Sequence, residues 1–267
     1  MSVESKKEAM QIISVLLNSN DTDIFRGQGK SHTEWPLVPK ALRGPYTGGD
    51  HYEAMDRFRR ECPLAGFEPQ TSLADLAVAQ HYGLATYLLD WTTNPLVALF
   101  FACFEQPDSE GVVFVMNKQE SVSEEEESER DKWKEISGLK LYNPPLVDER
   151  MARQKGLFTI QAKDERPINE IAKKNEFKAT PIPGVLKKDL TEVLYTMGID
   201  RSTLFPGLAG LCDRINWETA NRIARNFPPV SKARRIYIEL HAISTSSAVL
   251  SPQFSLPKKS KKKKRKK

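Results

Sequence analysis

The stretch Gln80–Pro95 reads QHYGLATYLLDWTTNP and sets His, Asp, Trp and Thr side chains between apolar runs. Just upstream, apolar residues recur at helical spacing over Leu73–Tyr82. Gly83 follows, and glycine is the residue that a helix prefers just past its end, because a left-handed backbone suits it there. Thr86–Leu89 has the composition of a short buried strand. The stretch therefore predicts a helix, a turn and a strand.

A second helix is predicted directly after this strand. Asn94, or the threonine before it, can accept a hydrogen bond from the free N–H groups of a helix start. Pro95 suits the first turn because its missing N–H would have no partner there. Leu96–Phe104 then forms an almost wholly apolar helix. Asp90 and Trp91 are thereby predicted between a strand end and a helix start, where backbone N–H groups and the helix dipole attract anions.

Two interpretations of these polar residues stay open. In the first, Asp90 caps the turn, Trp91 fills the core and His81 makes one buried hydrogen bond. In the second, they contribute to a binding site, and that interpretation requires a second polar element elsewhere in the chain.

A second polar element is found upstream, where Asp23–Gln28 reads DIFRGQ. An apolar pair leads there into an Arg-Gly at a predicted strand end, and a polar loop and the segment Trp35–Pro39 follow. With the His-Tyr-Gly and Leu-Leu-Asp-Trp-Thr segments, this set resembles the FRG domain family. The family is named after its Phe-Arg-Gly tripeptide, which is residues 25–27 here.

Two later segments extend the resemblance. Arg153–Thr159 reads RQKGLFT and is similar to the Arg-Gln-x-Gly-Leu-Phe segment of the family, and Gly198–Pro206 resembles its C-terminal ending. The resemblance spans residues 20–215. The family usually has Gly-x-Pro-Thr-Arg-Leu-Leu-Asp-Trp, whereas this chain has Ala85 for the proline and Tyr87 for the arginine.

The second of these departures affects anion binding. Tyr87 has neither the charge nor the bidentate fork of an arginine. Arg26 and Arg153 are therefore the candidates for holding an anionic ligand.

The resemblance implies an effector of defence or toxin type, since FRG domains are widespread in bacteria and phages in such settings. It also suggests a link to ADP-ribosyltransferases. Those enzymes often place an arginine on a first strand, a hydroxyl residue on a second and a Glu or Gln on a later one, and the counterparts here are Arg26, Thr86 and Gln154. The function implied is binding of a nucleotide such as NAD and transfer of ADP-ribose to a macromolecule.

The predicted site residues form two overlapping groups. The catalytic candidates are Arg26, His81, Thr86, Asp90 and Gln154. The candidates for holding NAD, by charge-assisted hydrogen bonds or by stacking, are Arg26, Gln28, Tyr87, Trp91, Thr92 and Arg153. Transfer also calls for a carboxylate that stabilises positive charge on the ribose, and the sequence leaves Asp90, Glu149 and Glu165 open for that role.

Other chemistries find little support in the sequence. The chain has four histidines and three cysteines without close paired spacing, so no metal site is predicted. A nucleophile-elbow Gly-x-Ser-x-Gly, a phosphate-binding Gly-Lys-Ser/Thr loop and a Rossmann glycine fingerprint are all missing from the sequence. The cysteine usage predicts a reducing compartment, and with no apolar run long enough to span a bilayer we expect a cytoplasmic protein.

The positive net charge of +5 belongs to the C-terminus. Nine of the ten residues in Lys258–Lys267 are Lys or Arg, and without them residues 1–257 have 31 basic residues against 35 acidic ones. Such a segment is predicted to be a disordered arm. It could attract RNA or DNA, an anionic membrane surface or a nuclear import receptor, or act only as a solubilising end. The acidic run 121–131 is predicted to be a solvated loop or helix start.

The remaining periodicity predicts an α+β fold, a single mixed domain with a small central sheet flanked by helices and a disordered basic tail. The predicted organisation is an N-terminal helix over 1–20, an FRG-like domain over 21–248 and the tail over 249–267. The further helices are predicted at Ser5–Leu17, Asp50–Cys62 and Lys187–Met197. The further strands are predicted at Ile24–Arg26, Val112–Met116, Leu157–Ile160 and Arg235–His241.

Two functions of different class fit this sequence. One is an ADP-ribosyltransferase-like enzyme, and the other is a non-catalytic module that senses a ligand or binds a nucleic acid or protein. Geometry distinguishes them. If Arg26, His81 and Gln154 line one open cleft, ligand binding is favoured, whereas separate and sealed side chains favour a structural role.

Overall fold

The structure is a computed structural model that describes residues 3–31, 33–70, 72–106, 108–117, 119–145, 149–162, 165–172, 176–221 and 223. Contacts divide the chain into two units, residues 1–217 and 218–267. The predicted strand Arg235–His241, the predicted boundary after residue 248 and the basic segment Lys258–Lys267 lie outside the described residues.

The described secondary structure alternates helices and strands. The helices are α1 Val3–Leu17, α2 His51–Glu61, α3 Ser72–His81, α4 Pro95–Phe104, α5 Glu124–Ser128, α6 Glu149–Gln154, α7 Ile168–Ile171, α8 Gly184–Thr196, α9 Arg201–Leu204 and α10 Leu208–Ala220. The strands are β1 Ile24–Gln28, β2 Leu88–Thr92, β3 Gly111–Met116, β4 Lys140–Tyr142, β5 Gly156–Ile160 and β6 Phe177–Ile182. Short 3₁₀ helices cover Lys40–Leu42, Gly44–Tyr46, Cys62–Ala65 and Lys132–Glu135.

The six strands form one antiparallel sheet in the order β4-β5-β2-β1-β3-β6. One apolar core packs α1, α4 and α8 against the sheet through residues such as Ile13, Leu99 and Leu190. Two further cores form around Trp133 and around Trp91. The predicted α+β fold, a small central sheet flanked by helices, is confirmed. None of the described helices is both long and apolar enough to cross a membrane.

The local signals around the quoted stretch act as the sequence predicts. Helix α3 ends at His81, and Gly83 has a φ of +97°, the left-handed region that favours glycine. Asn94 caps α4, because its side-chain oxygen accepts a hydrogen bond from the Leu96 N–H at 3.0 Å. Pro95 occupies the first turn, where no N–H is needed.

The position of β2 differs from the prediction. The sequence placed the strand at Thr86–Leu89 and put Asp90 and Trp91 after it, but both residues lie inside the strand, opposite Phe158 and Leu157 of β5. The reason is local bonding upstream, because the Thr86 hydroxyl accepts the Leu88 N–H at 3.2 Å and so holds residue 86 in a turn. Asp90 and Trp91 therefore point to opposite faces of the sheet.

The two edge strands of the sheet, β4 and β6, have no counterpart in the sequence prediction. Strand β4 has three residues, too few for an alternating pattern. Strand β6 is largely exposed and contains Pro181, which an edge strand tolerates because one side of it carries no ladder hydrogen bonds. Within the acidic run, Ser123 caps the short helix α5 through a capping box with Glu126, so a helix start is confirmed there.

Candidate functional site

The Phe-Arg-Gly tripeptide lies in β1, and each of its residues has its own environment. Phe25 is buried in the core that contains α4. A Cβ atom on Gly27 would lie 1.8 Å from the Ala98 carbonyl oxygen, so a glycine is needed where α4 crosses the strand. The Arg26 side chain projects to the other face, because side chains alternate along a strand.

The Arg26 side chain lines a cavity that opens where β1 and β2 diverge. These strands pair at a single position, Phe25 with Thr92, whereas β1 pairs with β3 at five. The cavity has a volume of about 670 Å³. Small-molecule sites measure roughly 300–1,000 Å³, so the space suits a ligand of nucleotide size.

The structure brings most of the predicted site residues to this one cavity. Seven of the ten line it: Arg26, Gln28, His81, Asp90, Trp91, Thr92 and Gln154. They come from β1, β2, α6 and the end of α3, which are far apart in sequence. Arg26, His81 and Gln154, the three residues by which the sequence analysis distinguishes the two functions, thus line one cavity.

Arg26 places a positive charge, on a half-buried side chain, at the cavity wall. Its Nη1 donates to the Asp90 carbonyl oxygen at 2.7 Å and lies 3.5 Å from the Asp90 carboxylate, and its Nε donates to Gln28 Oε1 at 3.4 Å. Burial lowers the pKa of the Arg26 guanidinium. The Asp90 carboxylate raises this pKa in part, whereas the charge of Arg43 lowers it further. Arginine stays protonated even so. No described residue accepts a hydrogen bond from Arg26 Nη2.

The Asp90 carboxylate is held from behind by a short chain of hydrogen bonds. Its Oδ1 accepts from Gln80 Nε2 at 3.0 Å, and Gln80 Oε1 accepts from the Thr86 hydroxyl. The Asp90 side chain is nevertheless 62% exposed, so its carboxylate remains accessible. Thr86 is buried and does not line the cavity, and it acts on the site through Gln80.

The opposite end of β2 is tied to α6 and α9. Thr92 donates from its hydroxyl to the Gln154 carbonyl oxygen at 2.7 Å, and Gln154 Nε2 donates to the Leu204 carbonyl oxygen at 3.1 Å. Trp91 donates from its indole N–H to the Thr159 hydroxyl at 2.9 Å. The side-chain amide of Gln154 is thus already engaged within the protein.

Two more of the predicted residues lie away from the cavity. Tyr87 packs in an aromatic cluster with His51, Tyr52 and Trp133. Burial raises the pKa of its phenol. Arg153 is 53% exposed and pairs with Glu149 along α6. Neither side chain lines the cavity.

Only Asp90, among the three carboxylates considered from the sequence, lines the cavity. Glu149 is bound to Arg153 at the surface, and Glu165 is exposed elsewhere. The cavity wall also contains Glu34 and Glu105. Within the described residues, no group of three or more His, Cys, Asp or Glu side chains is placed to hold a metal ion.

Several cavity residues were missed by the sequence analysis, notably the two arginines Arg43 and Arg150 and the aromatic side chains Trp35 and Phe101. Arg150 had a usable signal, since it precedes Gln154 by four residues and so shares its helix face. Arg43 had none, because its surroundings have the composition of a surface turn.

Comparison with known proteins gives one match. The model of the FRG domain matches residues 21–111. This range includes the Phe-Arg-Gly tripeptide and the stretch from His81 to Trp91, while the predicted resemblance of Arg153–Thr159 and Gly198–Pro206 lies beyond it and stays a prediction. Neither the curated proteins nor the solved structures gave a match. The chain therefore contains an FRG domain at residues 21–111.

Proposed function

We propose that the cavity between β1 and β2 binds a nucleotide such as NAD and that the protein transfers ADP-ribose to a macromolecule, as an effector of defence or toxin type. The observation that carries the proposal is the Arg26 cation, whose side chain is 14% exposed and whose Nη2 donates to no described residue, in the wall of a nucleotide-sized cavity. A guanidinium makes charge-assisted hydrogen bonds to phosphate, and these are among the strong ones in proteins.

The charges around Arg26 support an anionic ligand. Arg43 lowers the pKa of Arg26, so the two cations are close enough to repel each other. The side chain of Arg43 forms no hydrogen bond or ion pair with a described residue. A pyrophosphate group could accept hydrogen bonds from both guanidinium groups, beside the one carboxylate, Asp90, that pairs with Arg26. Trp35 and Phe101 add aromatic surface against which a base can stack.

NAD supplies the reactive bond between nicotinamide and the ribose C1′. In the proposed transfer, this bond breaks with its electron pair leaving on nicotinamide, and a nucleophilic oxygen or nitrogen of the acceptor bonds to C1′. The accessible Asp90 carboxylate stabilises the positive charge on the ribose and takes the proton that the acceptor loses. His81, at the cavity wall, is the candidate to hold the ribose hydroxyls.

One observation favours a non-catalytic ligand-sensing module as the second candidate. The Asp90 carboxylate is already engaged by Arg26 and Gln80, and the amide of Gln154 is engaged by the Leu204 carbonyl. Polar groups that bond to one another stabilise a binding site without taking part in a reaction.

Calorimetry with NAD tests the ligand binding that both functions require. We expect Arg26→Ala to weaken NAD binding at least tenfold, since a hydrogen bond to a charged group contributes about 1.5–3 kcal/mol. Arg26→Lys keeps the charge but loses the planar fork of donors, so its affinity for NAD should lie between those of the wild type and Arg26→Ala. Arg57→Ala is the matched control, because this arginine lies on the exposed face of α2 with Glu61 as its partner. Thermal unfolding of each variant reports whether it is folded.

Release of nicotinamide is measured in the same samples with RNA, DNA and protein lysate as acceptors. Release that depends on Arg26 supports the transferase. Binding without release supports the sensing module. If the folded wild type neither binds NAD nor releases nicotinamide, the proposed function is wrong.

A further inference from the structure

Arg150 in α6 is a cavity residue whose charge is not neutralised. Its side chain is half-buried and lines the cavity, and its Nε atom is buried without a hydrogen-bond partner. No described residue forms an ion pair with it. A buried donor without a partner destabilises a fold by about 1–3 kcal/mol, so this arrangement is unusual for a purely structural arginine.

The ring of Phe205 holds the Arg150 guanidinium in place. The central guanidinium carbon lies 4.7 Å from the ring centroid, within the range of a cation–π contact. Gln154, one helical turn further along α6, donates to the carbonyl of Leu204, the residue before Phe205. These two contacts join α6 to the end of α9, which orients the guanidinium before any ligand binds.

Arg201 is an internal comparison, because its guanidinium carbon lies 4.8 Å from the centroid of the same Phe205 ring. This arginine also forms an ion pair with Asp213 and does not line the cavity. Its charge is therefore balanced within the protein. Of the two arginines on one ring, the one facing the cavity is the one that pairs with no carboxylate of the described residues.

We propose that Arg150 is a ligand-binding residue that contacts a phosphate group of the molecule in the cavity, with Phe205 as its platform. Because Nε is sealed, the contact uses the terminal Nη groups, whose N–H donors match the geometry of phosphate oxygens. The inference rests on the proposed function in taking the cavity as the ligand site. It does not depend on NAD being the ligand or on transfer taking place.

The test measures binding of inorganic pyrophosphate by calorimetry to the full chain. Arg150→Met removes the charge and keeps an unbranched apolar chain, and we expect it to weaken pyrophosphate binding at least tenfold. The pyrophosphate affinity of Arg150→Lys should fall between those of the wild type and Arg150→Met, because lysine keeps the charge without the planar fork. Arg201→Met is the matched control, since it removes a cation from the same ring outside the cavity, and its affinity should stay within twofold of wild type. Thermal unfolding checks that all variants are folded.

The outcomes separate this inference from the proposed function. Loss of pyrophosphate binding in folded Arg150→Met, with Arg201→Met unchanged, supports the inference even if the wild type does not bind NAD. A wild type that binds no pyrophosphate overturns it. Equal affinity of the wild type and Arg150→Met also overturns it, whatever NAD does. If Arg150→Met does not fold, the Arg150→Lys variant decides: an affinity equal to that of wild type overturns the inference.

Discussion

The close crossing of α4 over β1 makes Gly27→Ala a sharp test of the structure. The added Cβ would lie 1.8 Å from the Ala98 carbonyl oxygen and 2.7 Å from the Ala102 backbone nitrogen. Ordinary van der Waals contact begins near 3.4 Å, so α4 must move by about 1.6 Å or β1 must shift by as much. Both obstacles are backbone atoms, which cannot rotate away.

The expected loss of stability follows from that displacement. Overpacking a core typically destabilises by about 1–3 kcal/mol, and a clash with helix backbone belongs at the upper end. In a domain of this size each kcal/mol lowers the thermal midpoint by about 2–4 °C, so we expect a decrease of about 6–12 °C. Ligand affinity should fall as well, because Val97, Ala98 and Phe101 of α4 line the cavity.

Gly156→Ala is the matched control for this measurement. Gly156, the first residue of β5, also lines the cavity, but a Cβ there would meet its nearest atom, the Met151 carbonyl oxygen, at 3.8 Å. Thermal unfolding of the two variants should therefore differ clearly. A Gly27→Ala midpoint within about 2 °C of wild type, less than 1 kcal/mol by the same conversion, would refute the close crossing.

Two further predictions concern the surroundings of the site. Thr86→Val should destabilise the protein by about 1–3 kcal/mol in urea unfolding, because Gln80 Oε1 and the Leu88 N–H lose their hydrogen-bond partner. Thr93→Val, at an exposed position, is the control and should have little effect on stability. Equal stability of the two variants would contradict the hydrogen bonds that link Thr86 to Asp90 through Gln80. Burial alone raises the pKa of Asp131, but hydrogen bonds from Arg59 and Lys134 outweigh it and hold that pKa below its ordinary value. The stability from Asp131 is therefore present above the unfolded pKa of about 3.9 and lost as pH falls through the folded pKa. Urea midpoints between pH 6 and pH 3 should fall less steeply in Asp131→Asn than in wild type, and parallel curves would show that Asp131 does not contribute.

The sequence predicted local features well where the chemistry is local. A glycine after an apolar helix and an asparagine before a proline each act within a few residues, so their effects can be predicted without the rest of the fold. The predicted range of β2 was wrong, because pairing with β5 and the hydrogen bond of the Thr86 hydroxyl together determine where the strand begins. Strand β4 was missed because three residues are too few for an alternating pattern, and β6 was missed because Pro181 argues against a strand in the sequence.

The sequence by itself determined the FRG resemblance, the α+β class and seven of the side chains that line the cavity. Only the tertiary structure decided that Arg26, Asp90 and Gln154 line one cavity. It also decided that Thr86 and Arg153 do not line it. The physical reason for this difference is that the type of a residue shows only which chemistry its side chain can perform. Whether its charge meets a partner depends on strand divergence and helix packing, which bring together residues far apart in the chain. Arg150 and Arg201 illustrate this, since both lie over the Phe205 ring and, in the part of the chain that the structure describes, only Arg201 has a carboxylate partner.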